Sequence, residues 1–457
     1  MNLDPAARRL RLDPRDPVFF QDPYPAYRVM REAGPLVFWE DYGFWCAAGF
    51  DAVNALLRDR RFGREVLHVT TREALGRPER PAHTAPFYAV DDHSMLEREP
   101  PVHTRLRTLV NRAFVSRRIE RLRPRVAALA NGLIDGFAEA GEVDLIPAFA
   151  TPIPVIVIAE LLGVPADMAP ALVAWSRRMV GMYEFGRTYD AEVAAAEAAG
   201  EFSAYLRDLA EERRRAPRDD LVSHLLAAEA VGDRLSEPEL VATCILLLNA
   251  GHEATVHAIG NAVKALLETG AAPASAFADE GATERTVEEA LRFDPPLHLF
   301  TRYALEPLSF GGVDFAVGDK VALLLAAANR DPARWEEPDR FRADRPMLPH
   351  LSFGAGIHFC LGAPLARLEL QVALPILFRR LPGLALAEAP RYRDAFHFHG
   401  LKRLALSWQL GTRSGLVAEA PGVQRTVGSI RGPDQGRHGR RRTGARAPGT
   451  RSRNASR

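Results

Sequence analysis

The 457-residue sequence predicts a mainly α-helical fold with a minor β part. Helical patterning dominates from His103 to Thr269, and strand signals are confined to short runs. No β–α–β alternation points to a doubly wound parallel sheet, and no internal repeat is present.

In chain order, prolines punctuate the sequence up to Pro35 and give way to two β-like runs, PLVFWE and GFWCAAG. A helix is expected from Phe50, followed by an irregular stretch from Arg64 to about Pro100. The helical region beyond His103 breaks at PAFATPIPV, at GVPADMAP and near RRAPRDD. One helix within it stands apart. Ser236 and Glu239 form a capping box, with Pro238 tolerated in the first turn. The run ELVATCILLLNAGHEATVHAIGNAVKALLET then continues to Gly270. At about 33 residues it spans roughly 50 Å. It is apolar nearly all round, so it is expected to be central and buried. Strand signals return in LSFGGVDFAVGDKVALLL, where Gly311-Gly312 and Gly318-Asp319 mark turns. A last helix is expected from about Cys360 through APLARLELQVALPILFRRL.

With 47% hydrophobic residues the chain can bury a large core. No linker composition divides the first four hundred residues, so one domain is expected over 1–412, with a basic tail over 413–457. From Gln424 onward the tail carries ten arginines and one aspartate, so the net charge of +1 conceals an acidic body. Rich in Gly, Arg, Ser and Pro, the tail is expected to be disordered. It lacks the interleaved aromatics of a single-strand binder, and no nucleic-acid partner is expected. No apolar run reaches the roughly 18 residues of a membrane span. The charged N-terminus lacks a signal-peptide core, so a cytoplasmic, monomeric protein is expected.

Cys46, Cys244 and Cys360 are far apart, which argues against a disulfide framework and against paired zinc ligands. The first two lie in apolar surroundings and read as core residues. Cys360 lies in FGAGIHFCLG, a glycine-rich turn before a helix, where backbone N–H groups and the helix dipole favour a thiolate. Within the long helix, AGHEAT reads either as a packing notch with a satisfied Glu253 or as a pocket floor. In the second reading Gly251 and Ala254 make room for a small ligand and Glu253 feeds it protons. Glu289 and Arg292 share a helical face, as do His103 and Arg107. Each pair alone reads as a solvated face. Arg302 interrupts the extended apolar stretch LFTRYALEP.

The ordered set EPPVHTRLR, AGHEAT, EEALR, ANRDPARWEEPDRFRADR and FGAGIHFCLG resembles the cytochrome P450 family of haem-thiolate monooxygenases. The resemblance runs from about Phe19 to Leu410 and is nearest to soluble bacterial members. It implies the family's fold, with a long central helix over the haem, and haem b held through Cys360. It also implies that Phe353 shields the sulfur and that Gly354 and Gly362 let backbone approach the ring. His103, Arg107, Arg302 and His358 match positions that hold the two propionates. Glu289, Arg292 and Arg345 match a buried structural ion-pair set. Glu253, with Gly251, Ala254 and Thr255, matches the oxygen-activating segment. One departure stands out: the family's usual threonine after the acid is Ala254 here, and Thr255 follows. Successive helical residues point about 100° apart, so Thr255 does not replace that hydroxyl without a local bulge.

The resemblance further implies dioxygen and a small apolar organic substrate, covered by the region from Arg64 to Glu97 and by the stretch around Met182, Tyr183 and Phe185. Phe87, Val90, Leu297, Phe300 and Phe398 are further candidate lining residues. The chain has no flavin or iron–sulfur module, so a separate ferredoxin and NAD(P)H-dependent ferredoxin reductase are implied. Arg105, Arg112, Arg117 and Arg118 form either their docking patch or a solvated helix face. Ala254 keeps open a peroxide-using or oxygen-rearranging enzyme, and a non-catalytic haem protein is the remaining alternative.

Overall fold

The computed structural model describes residues 1–113, 119–230, 233–270 and 272–410, so the tail, Arg117 and Arg118 lie outside the described residues. Seven short strands form the main sheet: β1 (Asn2–Asp4), β2 (Arg9–Arg11), β3 (Val37–Trp39), β4 (Phe44–Ala47), β5 (Phe62–Gly63), β6 (Leu299–Ala304) and β7 (Lys320–Leu324). Their order is β1-β2-β3-β4-β7-β6-β5. The pairs β2–β3 and β4–β7 run parallel and the others antiparallel. The runs PLVFWE and GFWCAAG are thus β3 and β4. The period of two along β6 puts Phe300 and Arg302 on one face, with Arg302 opposite Val321 of β7.

The helices that position the site are α1 (Ala85–Asp91), α2 (Val102–Ala113), α3 (Pro152–Leu162), α4 (Tyr189–Arg215), α5 (Glu237–Thr269), α6 (Glu280–Phe293) and α7 (Ala363–Arg380). The long helix is α5, with the predicted ends. The Ser236 N–H donates to Glu239 Oε2 at 2.9 Å, and Gly270 closes it at φ 65° in the left-handed region. Most of its faces are buried, and its apolar residues join those of α3, α4, α6 and α7 in the largest core cluster. Two smaller clusters pack on the sheet.

Helix α1 lies inside the stretch expected to be irregular. Its seven residues, APFYAVD, are too short to display a helical period. Strands β1 and β2 were also not anticipated, because their pairing depends on β3 as a distant neighbour. Among the described residues no helix is long and apolar enough to cross a membrane.

Candidate active site

Cys46 and Cys244 are buried, whereas Cys360 is half-buried. Its N–H donates to the Phe353 carbonyl at 2.9 Å, which folds the turn back on itself. Gly354 and Gly356 have φ of 68° and 71°, and a Cβ at Gly356 would lie 2.4 Å from the Leu57 carbonyl oxygen. A Cβ at Gly362 would stand 3.9 Å from the sulfur. Arg367 lies over the Phe353 ring at 4.5 Å. Helix α7 begins only at Ala363, with Gly362 as its N-cap. Burial pushes the Cys360 thiol up, against the Gly362 and Ala363 N–H groups and the charges of Arg107 and Arg367. The backbone N–H groups at the helix start thus favour the thiolate as expected, but burial outweighs them. Coordination of a metal ion would have to displace the proton.

Beside the turn, α2, β6 and the Cys360 loop converge cations. The His103 and His358 rings stand 4.3 Å apart, and Arg107 Nη2 donates to the Phe359 carbonyl at 2.7 Å. Arg302 is 2% exposed, yet its recorded hydrogen bond goes only to the Thr301 carbonyl, at 3.0 Å. Burial, with the charge of Arg64 next, pushes its guanidinium down to about 9. Both ring nitrogens of buried His103 lack a partner. Glu99 meets His358 at 3.4 Å and the Arg64 N–H at 2.5 Å, while Glu97 bonds Arg64. Buried donors without acceptors are rare and costly, so this set fits a dianionic group. With an accessible cysteine next to them, these residues suit haem and its two propionates.

Glu289 and Arg292 on α6 are not a solvated pair. Arg292 Nε and Nη2 donate to the two Glu289 oxygens at 2.7 and 2.8 Å. Arg345 Nε reaches Glu289 Oε1 at 3.4 Å, and the Arg342 N–H reaches it at 2.8 Å. All three predicted members are buried, and the remaining Arg292 donors reach the carbonyls of Asn329 and Pro338.

On α5, Glu253 is buried and accepts from Arg393 Nη2 at 3.0 Å. Arg393 Nη2 also lies 2.5 Å from His257 Nε2. Arginine is the obligate donor, so Nε2 accepts and the imidazole is neutral. Burial opposes ionisation of Glu253, but the Arg393 guanidinium that donates to it holds its carboxyl well below the usual range. The His257 ring lies against Gly400, where a Cβ would come within 2.1 Å of Nδ1. Thr255 donates to the Gly251 carbonyl at 3.1 Å within unbroken helix, so no bulge re-aims it. A Cβ at Gly251 would meet Ile158 of α3 at 3.4 Å, so this glycine is a packing notch and does not widen a pocket.

A cleft over α5 is lined by Phe87 and Val90 of α1, by Met179 and Tyr183, by Ala242, Ile245, Asn249 and Ala250 of α5, and by Phe398. Of the predicted lining residues, Phe87, Val90, Tyr183 and Phe398 are there. Phe300, Leu297, Met182 and Phe185 lie elsewhere. Phe300 carries Arg64 and Arg302 on its ring, at 4.3 and 4.9 Å, as strand alternation requires. Leu297 bridges Phe398 through backbone, Met182 is buried in the core, and Phe185 is exposed against Tyr42. Ala250 opens the AGHEAT segment read as a pocket floor, whereas Asn249 went unnoticed, although 242, 245, 246, 249 and 250 keep helical spacing. Arg393 and His257 were also missed; His257 is four residues from Glu253, but Arg393 had no sequence signal. Arg105, in the suggested docking patch, bonds Glu239 at the start of α5.

The fit of thiol and cations defines a class of protein, one that holds haem through a cysteine sulfur. The family model described as cytochrome P450 matches residues 282–382, which contain the Glu289–Arg292 pair and Cys360. The chain is 39% identical over 408 residues to cytochrome P450 monooxygenase PikC of Streptomyces venezuelae, covering 87% of this chain and 94% of that one. It is 40% identical over 404 residues to a vitamin D(3) 25-hydroxylase of Pseudonocardia autotrophica, covering 87% and 96%. The solved structure of the Bacillus subtilis 168 bacillaene polyketide synthase cytochrome P450 PksS matches with a TM-score of 0.79 at 33% identity, covering 87% and 100%. The chain belongs to the cytochrome P450 family and is a haem-dependent monooxygenase with that family's fold.

Proposed function

We propose that the protein places one atom of dioxygen into an apolar organic substrate and releases the other as water. Two electrons come from NAD(P)H through a separate ferredoxin and its reductase, and two protons complete the balance. Beside Cys360 only the buried Cys46 and Cys244 remain, too few for the four-cysteine set of a ferredoxin-type cluster. Relatives named as hydroxylases, and one as an N-oxygenase, support oxygen insertion. The working domain is 1–412, and the basic tail is an extension without a catalytic part.

The observation that carries this reading is the half-buried thiol beside a buried arginine and histidine that are short of hydrogen-bond partners. Cys360 ligates the metal of haem b, with Phe353 against the turn. His103, Arg107, Arg302 and His358 take the propionates. When bound, the haem supplies the dioxygen chemistry, and every other task falls to the chain. The apolar cleft excludes water and positions substrate beside Ala250. Arg393 holds Glu253 ionised until a proton is drawn inward past it. Ala254 offers no hydroxyl, and Thr255 spends its own on the Gly251 carbonyl. The inner proton step therefore depends on water or on a substrate hydroxyl. That same feature favours a second reading, turnover with peroxide.

The test is turnover of a compound library by the haem-loaded protein with a surrogate ferredoxin, reductase and NAD(P)H. Product oxygen derived from labelled dioxygen is expected. Product formed only with added peroxide selects the second reading, and no product from either regime selects a non-catalytic haem protein.

A further inference from the structure

We propose that the cleft over α5 takes an apolar substrate bearing a cationic amino group, with Asp91 as its counter-ion. This rests on the monooxygenase reading and names the substrate class of the same cleft. Asp91 and Tyr183 both line it, among largely apolar neighbours that include Phe87, Ile245 and Phe398. The Tyr183 hydroxyl donates to Asp91 Oδ1 at 3.1 Å, the carboxylate's recorded hydrogen bond.

The nearby charges are committed elsewhere. Arg80 grips Asp92 with two donors, at 2.6 and 2.9 Å, and Arg64 bonds Glu97 and the Thr301 carbonyl. Asp91 therefore keeps acceptor capacity that no cation among the described residues takes up through a hydrogen bond. Burial, with the charge of Glu97 next, pushes its carboxyl up to about 7. Three kinds of apolar ligand would fare differently. An anionic one meets Asp91 with Glu97 behind it and is repelled. A neutral one offers at most an uncharged donor to the free oxygen and leaves the carboxylate without counter-charge. An ammonium group satisfies that oxygen and returns charge balance to the pair of acids.

The experiment titrates the haem-loaded protein by calorimetry with protonated N,N-dimethyldodecylamine, 1-dodecanol and dodecanoate. The chain length is shared, and the tertiary ammonium head keeps one N–H to donate while its protonated nitrogen cannot ligate iron. The cation is expected to bind about tenfold or more tighter than the alcohol, and dodecanoate weakest. Asp91→Asn, nearly isosteric, should bring cation and alcohol to within about threefold. Asp92→Asn should keep the preference, since that carboxylate already serves Arg80. Equal binding of cation and alcohol by wild type, or a cation preference surviving in Asp91→Asn, would overturn the proposal. The carbon monoxide spectrum of the same preparations is read separately. A missing thiolate-type band would overturn the haem-thiolate reading itself, while a normal band without cation preference overturns only the role of Asp91.

Discussion

Two buried charge clusters in this protein share arginine and differ in closure. Around Glu289 every oxygen is met: Arg292 holds both, and Arg345 and the Arg342 N–H add to one. Around Arg302 and His103 partners are fewer, although both residues are 2% exposed: Arg302 bonds the Thr301 carbonyl, and neither His103 ring nitrogen has a partner. Burying a charge is tolerable only when its partners come with it. The first cluster brings its partners in the chain and acts as structure. The second is missing an anion, and the protein's family supplies one in haem.

The comparison breaks most readily at Glu289. Glu289→Ala leaves two buried arginines without their carboxylate, at an expected cost of about 3–5 kcal/mol. That approaches the whole stability of many domains, so little soluble haem-loaded protein should be recovered. Normal yield and haem content would mean that the cluster is not structural.

Buried histidines extend the contrast to groups kept neutral. His399 packs near Asp294, Lys264, His257 and Arg330, and burial lowers its pKa to about 4, with Asp294 working the other way. A folded value below the unfolded one means that the neutral form is favoured on folding. The associated stability is present above about pH 6.5 and is lost as pH falls toward 4, by roughly 3 kcal/mol at the acid end. Denaturant midpoints measured between pH 7 and 4 should fall steeply, and His399→Gln should flatten that slope. An equal slope in the variant would remove His399 from the account.

Arg302→Leu sharpens the contrast with an opposite sign in the two states. The haem-free protein should hold its stability or gain a little, because an uncompensated buried charge is gone. Haem affinity should fall, by about tenfold for one lost charged hydrogen-bonding group. Parallel denaturation and haem-transfer measurements decide it. A haem-free protein destabilised as strongly as Glu289→Ala would make both clusters structural.

The smallest effect is expected at Ala254. Ala254→Thr restores a hydroxyl beside Glu253, and product formed per NAD(P)H consumed should rise severalfold for a substrate lacking its own hydroxyl. For a substrate that supplies one it should stay level or fall. Tight coupling in wild type with a hydroxyl-free substrate would show that another group delivers the proton.

Much of this was legible in the sequence wherever local chemistry is self-contained. The α5 helix announces both its ends through Ser236, Glu239 and Gly270, and the Cys360 turn is marked by its glycines. Glu289 and Arg292 were visible as a pair, but their burial followed only from the family resemblance and not from spacing, because the carbonyls of Asn329 and Pro338 come from 37 and 46 residues away. Arg393 reaches Glu253 across 140 residues, which no spacing rule anticipates. Phe300 was a candidate for the cleft through the family resemblance. Strand alternation with Arg302 would have placed it on the cation face instead. Gly251 was offered as room for a ligand, and Ile158 from another helix fills that room.

The central claim is that Cys360 carries the haem through its sulfur, and one spectrum tests it most directly. The reduced protein under carbon monoxide should show the strongly red-shifted Soret band of thiolate ligation, and Cys360→Ala should lose that band. A shifted band that survives in Cys360→Ala, or its absence from haem-loaded wild type, would contradict the account.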